Sequence, residues 1–229
     1  MNIEILDDAD AVARRAADII AAEARAAVAA RGRFTVATSG GRTPWAMLRA
    51  LSLQENVPWK SMHVLQVDER IAPVFHAERN LTHLCASLAA PGERGRAQIY
   101  AMPVESPELD EATERYARTL ANLAGWPPVL DLVHLGLGAD GHTASLIPDD
   151  PVLDVTDADV AVTGEYEGRR RMTLTYPVIN RARQVLWVIT GEEKAAMLAR
   201  LRAADPTIPA GRVQQTRALV LADRAAAVS

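Results

Sequence analysis

Short apolar segments alternate with longer amphipathic segments along most of this chain, and this alternation limits the possible folds. Four segments in the first part have the length and apolar content of buried strands: 33–38, 62–67, 98–102 and 130–137. Helical periodicity marks the segments 9–30, 44–52, 80–90 and 107–124. Further on, shorter strands are predicted at 160–163, 172–175, 184–190 and 218–222, with a helix at about 191–203. The pattern predicts an α/β fold whose mostly parallel sheet is covered by helices on both faces. Without repeats or a linker, 229 residues favour a single domain.

The strand predicted at 130–137 leads into the most informative loop of the chain. Gly136, Gly138 and Gly141 make this loop flexible, and Asp140 and His142 stand two residues apart within it. Loops at the carboxyl ends of parallel strands are where open α/β sheets bind ligands. A free imidazole has a pKa of about 6.5 and can act as a general base near neutral pH. His142 is therefore a candidate catalytic base, the alternative being that it only caps a short helix after it.

A second glycine loop lies between the strand 33–38 and the helix 44–52. Gly40 and Gly41 allow backbone N–H groups to turn toward an anion, and the start of a helix adds a favourable electrostatic field. Ser39 and Thr43 are potential hydroxyl donors. No Gly-Lys-Ser/Thr follows, so the loop is not a P-loop. The alternatives are a phosphate site and a plain tight turn with Thr43 as the helix cap.

The segment 136–141 also satisfies G-x-G-x-x-G, the dinucleotide-binding pattern. Two features argue against such a role. Asp140 would bring a negative charge to the place of the pyrophosphate, and Pro148 leaves little room for the helix that should follow. We therefore expect no nicotinamide cofactor.

Charged residues elsewhere suggest a bound anion. Asp68 and Arg70 follow a predicted strand and so lie at the ligand-binding edge of the sheet. Lys194 falls in the first turn of the helix 191–203, where the helix field disfavours a cation. An external anion would explain its position, and pairing with a neighbouring glutamate is the alternative. The net charge of −4 argues against nucleic acid as the partner.

Composition excludes several other classes. The sole cysteine, Cys85, rules out an intrachain disulfide and fits a reducing, cytoplasmic compartment, and we expect it to be a buried thiol. Histidines and carboxylates do not occur at zinc-ligand spacings, so no metal is expected. No uninterrupted apolar run approaches eighteen residues and no signal peptide is evident, so we expect no membrane association.

Five short segments together resemble the 6-phosphogluconolactonase family, within the larger group that includes glucosamine-6-phosphate isomerase/deaminase. These segments are 38–44, 68–70, 136–146, 171–175 and 191–195, and the resemblance extends from Thr35 to Ala225. It implies a modified Rossmann-type sheet that binds no dinucleotide. It also implies that His142 and Asp140 form the catalytic pair. The residues implied to bind the substrate are Ser39, Gly40, Gly41, Arg42, Thr43, Asp68, Arg70, Asn80, Arg171 and Lys194.

One departure from the family pattern concerns Arg79. The family has Ser-Asn where this chain has Arg79-Asn80. Arg79 is therefore either an additional contact for the anion or an exposed side chain.

The resemblance also separates two activities. The deaminase branch resembles Asp-Gly-His-Ile-Ala-Phe-Asn-Glu-Pro, with a glutamate that assists ring opening, and this glutamate falls on Ile147 here. The implied reaction is hydrolysis of 6-phospho-D-glucono-1,5-lactone in the oxidative pentose phosphate pathway, by a monomer or homodimer without cofactor or metal. The alternatives are a glucosamine-6-phosphate deaminase and a non-catalytic sugar-phosphate sensor. The sensor is disfavoured because the chain has no basic helix-turn-helix segment and keeps His142.

Overall fold

Ten strands form two sheets in the computed structural model, which describes residues 1–89 and 97–228. The strands are β1 (Asn2–Leu6), β2 (Phe34–Thr38), β3 (Met62–Gln66), β4 (Asp68–Arg70), β5 (Gln98–Tyr100), β6 (Leu132–Leu135), β7 (Val160–Val162), β8 (Arg171–Leu174), β9 (Val185–Ile189) and β10 (Ala218–Asp223). The central sheet has seven parallel strands in the order β1-β10-β9-β6-β2-β3-β5. The smaller sheet is antiparallel, in the order β4-β8-β7.

The order of the central strands creates a crevice between β2 and β6. From β2 the chain proceeds through β3 to β5 toward one edge, and from β6 it proceeds through β9 to β10 toward the other. The two strands are nevertheless adjacent, with Thr38 opposite His134. Loops leaving their carboxyl ends diverge, which is the arrangement where open α/β sheets bind ligands.

Helices cover both faces of the sheet. The first face carries α1 (Ala9–Arg31), α2 (Arg42–Ser52) and α3 (Asn80–Leu88), and the second carries α4 (Leu109–Ala124), α5 (Tyr176–Arg181) and α6 (Ala195–Arg202). Strand residues alternate between two apolar cores, so Leu132 packs with α1–α3 whereas Val133 and Leu135 pack with α4–α6. The prediction of a parallel sheet buried on both faces is confirmed.

The ends of α1 follow from local chemistry. The Asp8 carboxylate accepts a hydrogen bond of 2.7 Å from the Ala11 N–H at the first turn, and Gly32 at the other end has a φ of 74°. Within the described ranges, no helix combines the length and the apolar character needed to cross a bilayer.

Several sequence predictions need correction. The short helix expected directly after His142 is not formed, because Thr143 and Leu146 form an isolated β-bridge and Ala144 has a φ of 52°. Residues 68–70 do not simply end a strand of the main sheet but form β4 of the second sheet. The strand β1 and the short helix α5 were not predicted. The helix expected at 80–90 ends at Leu88, and position 90 lies outside the described residues.

Cys85 is exposed, so the expectation of a buried thiol is wrong. The reason is the orientation of α3, which turns Leu84 and Leu88 into the core and leaves Cys85 on the outer face.

Candidate active site

A cavity of about 1110 Å³ lies at the carboxyl edge of the central sheet. It is lined by the loops that follow β2, β6 and β9, by β4 and by the turn between β7 and β8. Every residue that the sequence assigned to the site lines it: Ser39, Gly40, Gly41, Arg42, Thr43, Asp68, Arg70, Asn80, Asp140, His142, Arg171 and Lys194. The fold thus brings together side chains from segments up to 155 positions apart, Ser39 and Lys194.

His142 and Asp140 are in direct contact. The imidazole Nδ1 lies 2.6 Å from Asp140 Oδ1, and the backbone N–H of His142 donates to the same oxygen at 3.1 Å. A carboxylate only accepts hydrogen bonds, so this contact places the imidazole proton on Nδ1 and the lone pair on Nε2. Nε2 has no hydrogen-bond partner in the part of the chain that the structure describes.

Asp140 is held in its ionised form. Partial burial raises the pKa of the Asp140 carboxyl, but three influences outweigh it and bring the pKa below its ordinary value. They are the backbone N–H of His142, the His142 imidazole and the hydroxyl of Tyr166, which donates to Asp140 Oδ2 at 3.0 Å. Both carboxylate oxygens are therefore engaged.

Two glycines make this geometry possible. A Cβ atom on Gly138 would lie 2.2 Å from His142 Nδ1 and 2.6 Å from Asp140 Oδ1, which is too close for any side chain. Gly141 has a φ of 86°, and a Cβ there would lie 2.7 Å from the Cβ of Ile208. Gly138 and Gly141, which match the dinucleotide-binding pattern, therefore provide the space and the backbone conformation that Asp140 and His142 require.

The loop 39–43 leads into an uncapped helix. Gly41, with a φ of 130°, is the N-cap residue of α2, and no side chain caps that end. The alternative in which Thr43 caps the helix is therefore wrong, and the Thr43 hydroxyl lies 2.7 Å from that of Thr190. A Cβ on Gly40 would lie 2.2 Å from Asn80 Oδ1, so this loop too depends on a glycine. Backbone N–H groups at the start of α2 remain available to an anion.

Ser39 is anchored to the neighbouring strand rather than free. Its N–H donates to His134 Nδ1 at 3.2 Å, and its hydroxyl donates to the His134 carbonyl oxygen at 3.1 Å. Burial lowers the pKa of His134 to about 3, so this imidazole is neutral. His134 therefore fixes the start of the loop and takes no part in proton transfer.

The four candidate cations have different environments. The side chains of Arg42 and Lys194 make no hydrogen bond or ion pair with the described residues, so the alternative of a glutamate partner for Lys194 is not seen. Arg70 donates to Asn80 Oδ1 at 2.9 Å and to the Glu78 carbonyl oxygen at 3.1 Å. Arg171 is buried, donates to Glu167 at 2.9 Å and retains an unpartnered Nε.

Both alternatives for Arg79 are wrong, because its side chain is buried, paired with carboxylates and absent from the cavity lining. The side chain is 1% exposed and pairs with the buried Glu69 carboxylate at 3.1 Å and with Glu105 at 2.7 Å. Glu69 also accepts from the backbone N–H groups of Arg70 and Asn80, each at 2.8 Å. Arg79 neutralises the carboxylate that positions these two cavity residues, since a buried charge needs a partner.

Asp68 is a buried acid that lines the cavity. Burial raises the pKa of its carboxyl, although a 2.7 Å hydrogen bond from Ser145 and the charges of Arg70 and Arg171 act in the opposite direction. The amide of Asn80 donates to the Asp68 carbonyl oxygen at 3.0 Å. Asp68 and Asn80 thus form one polar wall of the cavity.

Some functional positions were missed at the sequence level. Tyr166 and Ser145 contact the site carboxylates, and Glu69 arranges two further residues. Tyr166 lies in a turn with no recognisable motif, and Ser145 and Glu69 stand inside recognised motifs without a spacing that marks their role. Among residues 1–89 and 97–228, no group of three or more His, Cys, Asp or Glu side chains is arranged to hold a metal ion.

Comparison with known proteins identifies the class. Residues 7–221 match the family of glucosamine-6-phosphate isomerases/6-phosphogluconolactonase, and the chain belongs to this family. A 6-phosphogluconolactonase of Mycobacterium tuberculosis is 37% identical over 239 aligned positions, covering 99% of this chain and 97% of that protein. A 6-phosphogluconolactonase of Synechocystis is 38% identical over 174 residues, or 73% of this chain and 72% of that protein.

A solved structure supports the fold. The crystal structure of a 6-phosphogluconolactonase from Shewanella baltica superposes with a TM-score of 0.87 at 24% identity and covers 97% of both chains. The modified Rossmann-type α/β fold that the family resemblance implied is therefore confirmed.

Proposed function

We propose that this protein hydrolyses 6-phospho-D-glucono-1,5-lactone to 6-phospho-D-gluconate, a step of the oxidative pentose phosphate pathway. One observation carries the proposal: an acid–base pair and two unpartnered cations line the same cavity. The names of the relatives point to the same reaction. In keeping with its continuous parallel sheet, we also infer that the chain acts as one domain.

His142 is the general base. Because Asp140 accepts the proton on Nδ1, the Nε2 lone pair can take a proton from a water molecule as its oxygen attacks the lactone carbonyl carbon. The addition gives a tetrahedral intermediate. When its bond to the ring oxygen breaks, protonated His142 returns the proton to that oxygen, which becomes a hydroxyl of the product. The step needs neither a covalent enzyme intermediate nor a cofactor.

The phosphate binds at the other end of the cavity. Arg42 lies at the uncapped start of α2, and Lys194 immediately precedes α6, so both cations lie at ends of helices that face the cavity. A phosphate there is favoured by the two side-chain charges and by the backbone N–H groups of the loop 39–43. Arg171, through its unpartnered Nε, adds a third positive group.

Asp68 and Asn80 orient the sugar. Both are held by hydrogen bonds within the protein, Asp68 by Ser145 and Asn80 by Glu69, so their positions are fixed before substrate arrives. Hydroxyl groups of the ring can donate to Asp68 and accept from Asn80 or Arg70. Binding energy from the phosphate and the ring then places the carbonyl carbon beside His142.

The region after His142 favours the lactonase over a deaminase. A deaminase of this family would need an acid at position 147, whereas Ile147 is buried and apolar.

The proposal is tested with three substrates. Lactone generated immediately before use should be lost well above its spontaneous rate, and D-glucono-1,5-lactone without phosphate should give a kcat/KM at least about tenfold lower. Glucosamine 6-phosphate should release no ammonia. Ammonia release without lactone hydrolysis would establish a deaminase, and tight binding of 6-phosphogluconate without turnover of either substrate would establish a sensor.

A further inference from the structure

Tyr166 reaches the catalytic pair from a separate part of the chain. It lies in the turn between β7 and β8, where its backbone pairs with that of Arg169. Its hydroxyl donates to Asp140 Oδ2 at 3.0 Å, whereas His142 contacts Oδ1 of the same carboxylate. Hydrogen bonds to both oxygens fix the plane of the carboxylate.

The aromatic ring of Tyr166 has contacts on two further sides. The ring lies edge-on to the His142 imidazole, with 5.6 Å between centroids and 69° between planes. The guanidinium of Arg171 lies over the ring, 4.8 Å from its centroid. One side chain thus touches the general base, its orienting acid and a cation of the cavity.

We propose that Tyr166 is a positioning residue for catalysis, holding Asp140 and His142 in the orientation that proton transfer requires. This inference rests on the proposed lactonase function. The Tyr166 hydroxyl donates to Asp140 Oδ2, so that Oδ1 stays directed at His142 Nδ1. The edge of the Tyr166 ring restricts rotation of the imidazole. Arg171 in turn holds the ring from its face.

The charged and titratable groups around Tyr166 are Asp140, His142, Glu167 and Arg171. Burial and the hydrogen bond to Asp140 raise the pKa of Tyr166, so its hydroxyl keeps its proton and acts as a donor. Loss of the donor raises the pKa of Asp140, since this hydrogen bond stabilises the carboxylate. It also leaves more negative charge facing Nδ1. Both effects move the acid limb of the rate profile to higher pH.

The test separates the hydroxyl from the ring. For Tyr166→Phe we expect kcat to fall about tenfold, as for one hydrogen bond to a charged group, with KM within about twofold and the acid limb of kcat/KM at higher pH. For Tyr166→Leu we expect a similar fall in kcat together with a higher KM, because Arg171 loses the ring that orients it.

Tyr100→Phe provides a matched control. The Tyr100 hydroxyl also contacts a histidine, lying 3.0 Å from His63 Nδ1, but neither residue lines the cavity. Unchanged kcat and pH profile in Tyr166→Phe, with active wild type and control, would overturn the inference. So would a fall in kcat with an unmoved acid limb and a lower Tm, since that indicates a structural role. Inactive wild type and control would instead contradict the proposed function.

Discussion

The two loops at the crevice between β2 and β6 differ in chemistry although they leave adjacent strands. The loop 39–43 is tied to its neighbour through Ser39 and presents Arg42 and the start of a helix. The loop 136–142 folds on itself, with Gly138 N–H donating to the His142 carbonyl oxygen at 2.8 Å, and presents an acid and a base. The loop 39–43 therefore has the groups to hold an anion, and the loop 136–142 has the groups to move a proton. In the proposed function, substrate binding and proton transfer thus belong to different segments.

The two histidines of β6 and its loop show the same division. His134 is buried, neutral and bonded to Ser39, whereas His142 is 26% exposed and bonded to a carboxylate. His134, which positions the loop 39–43, and His142, the proposed base, are only eight positions apart in the sequence. The residue type alone does not distinguish them; burial and the partner of Nδ1 do.

We expect the largest loss of activity from Asp140→Asn, which alters the loop 136–142 and leaves the loop 39–43 unchanged. The asparagine amide can donate to Nδ1, which moves the imidazole proton to Nε2 and removes the base. We expect kcat to fall about 10²–10⁴-fold, as for other catalytic histidines that lose their carboxylate. Asp149→Asn, an exposed acid outside the cavity with a φ of 63°, should retain full activity in the same assay. Equal kcat in the two variants would show that Asp140 does not orient the base.

Two glycine substitutions test whether the loop 136–142 has room for a Cβ atom beside Asp140 and His142. A Cβ at Gly138 would displace His142 Nδ1, and a displacement near 1 Å can cost about 10²-fold in kcat. A Cβ at Gly136 meets nothing within 4 Å. We therefore expect Gly138→Ala to lose about two orders of magnitude in kcat and Gly136→Ala to stay close to wild type. Similar kcat values for the two variants would mean that catalysis tolerates movement of Asp140 and His142.

A substitution in the loop 39–43 should weaken substrate binding and leave turnover nearly unchanged. Arg42→Ala removes an unpartnered charge, so we expect KM to rise about tenfold with kcat within about threefold. The effect should weaken at high salt and disappear for D-glucono-1,5-lactone, which lacks the phosphate. Arg49→Ala, which removes an exposed charge from the same helix outside the cavity, is the control. An equal loss on both lactones would assign Arg42 to the reacting end.

The remaining prediction concerns stability instead of activity and involves the buried His134. Its pKa falls to about 3 on folding from an ordinary value of about 6.5, so the unfolded chain binds one more proton between these pH values. Its contribution to stability is therefore present above about pH 6.5 and is lost as the pH falls toward 3. His134→Gln should remove up to about 1.4 kcal/mol per pH unit from the slope of the unfolding free energy. Denaturant unfolding of wild type and His134→Gln at several pH values measures this slope. Identical slopes for the two proteins would contradict the low pKa of His134 in the folded state.

The sequence supports the general fold better than the details of the site. Alternating apolar segments identified most strands of the central sheet, because strands buried on both faces are short and almost entirely apolar. The strand β1 was missed because Asn2 and Glu4 interrupt its apolar residues at an edge of the sheet. The strand β4 was missed because its residues, Asp68–Arg70, are all charged and acquire their partners only in the second sheet.

Site residues were predictable where a motif placed them at a strand end, as for Asp140 and His142. Arg79 was not, because nothing in its neighbourhood reveals the buried Glu69 and the distant Glu105 that hold it. Tyr166 was not either, since its contact with Asp140 spans 26 positions and depends on the turn between β7 and β8. Both roles arise from tertiary contacts that local patterns do not encode.

In the proposed mechanism, His142 supplies the base for lactone hydrolysis. The most direct measurement is the initial rate of loss of freshly generated 6-phosphogluconolactone, above the spontaneous rate, with wild type and His142→Ala at equal Tm. We expect strong acceleration by wild type and a fall of about 10²–10⁴-fold in kcat for the variant, with KM little changed. Undiminished acceleration by His142→Ala would contradict the proposed mechanism and move the base to another residue of the cavity.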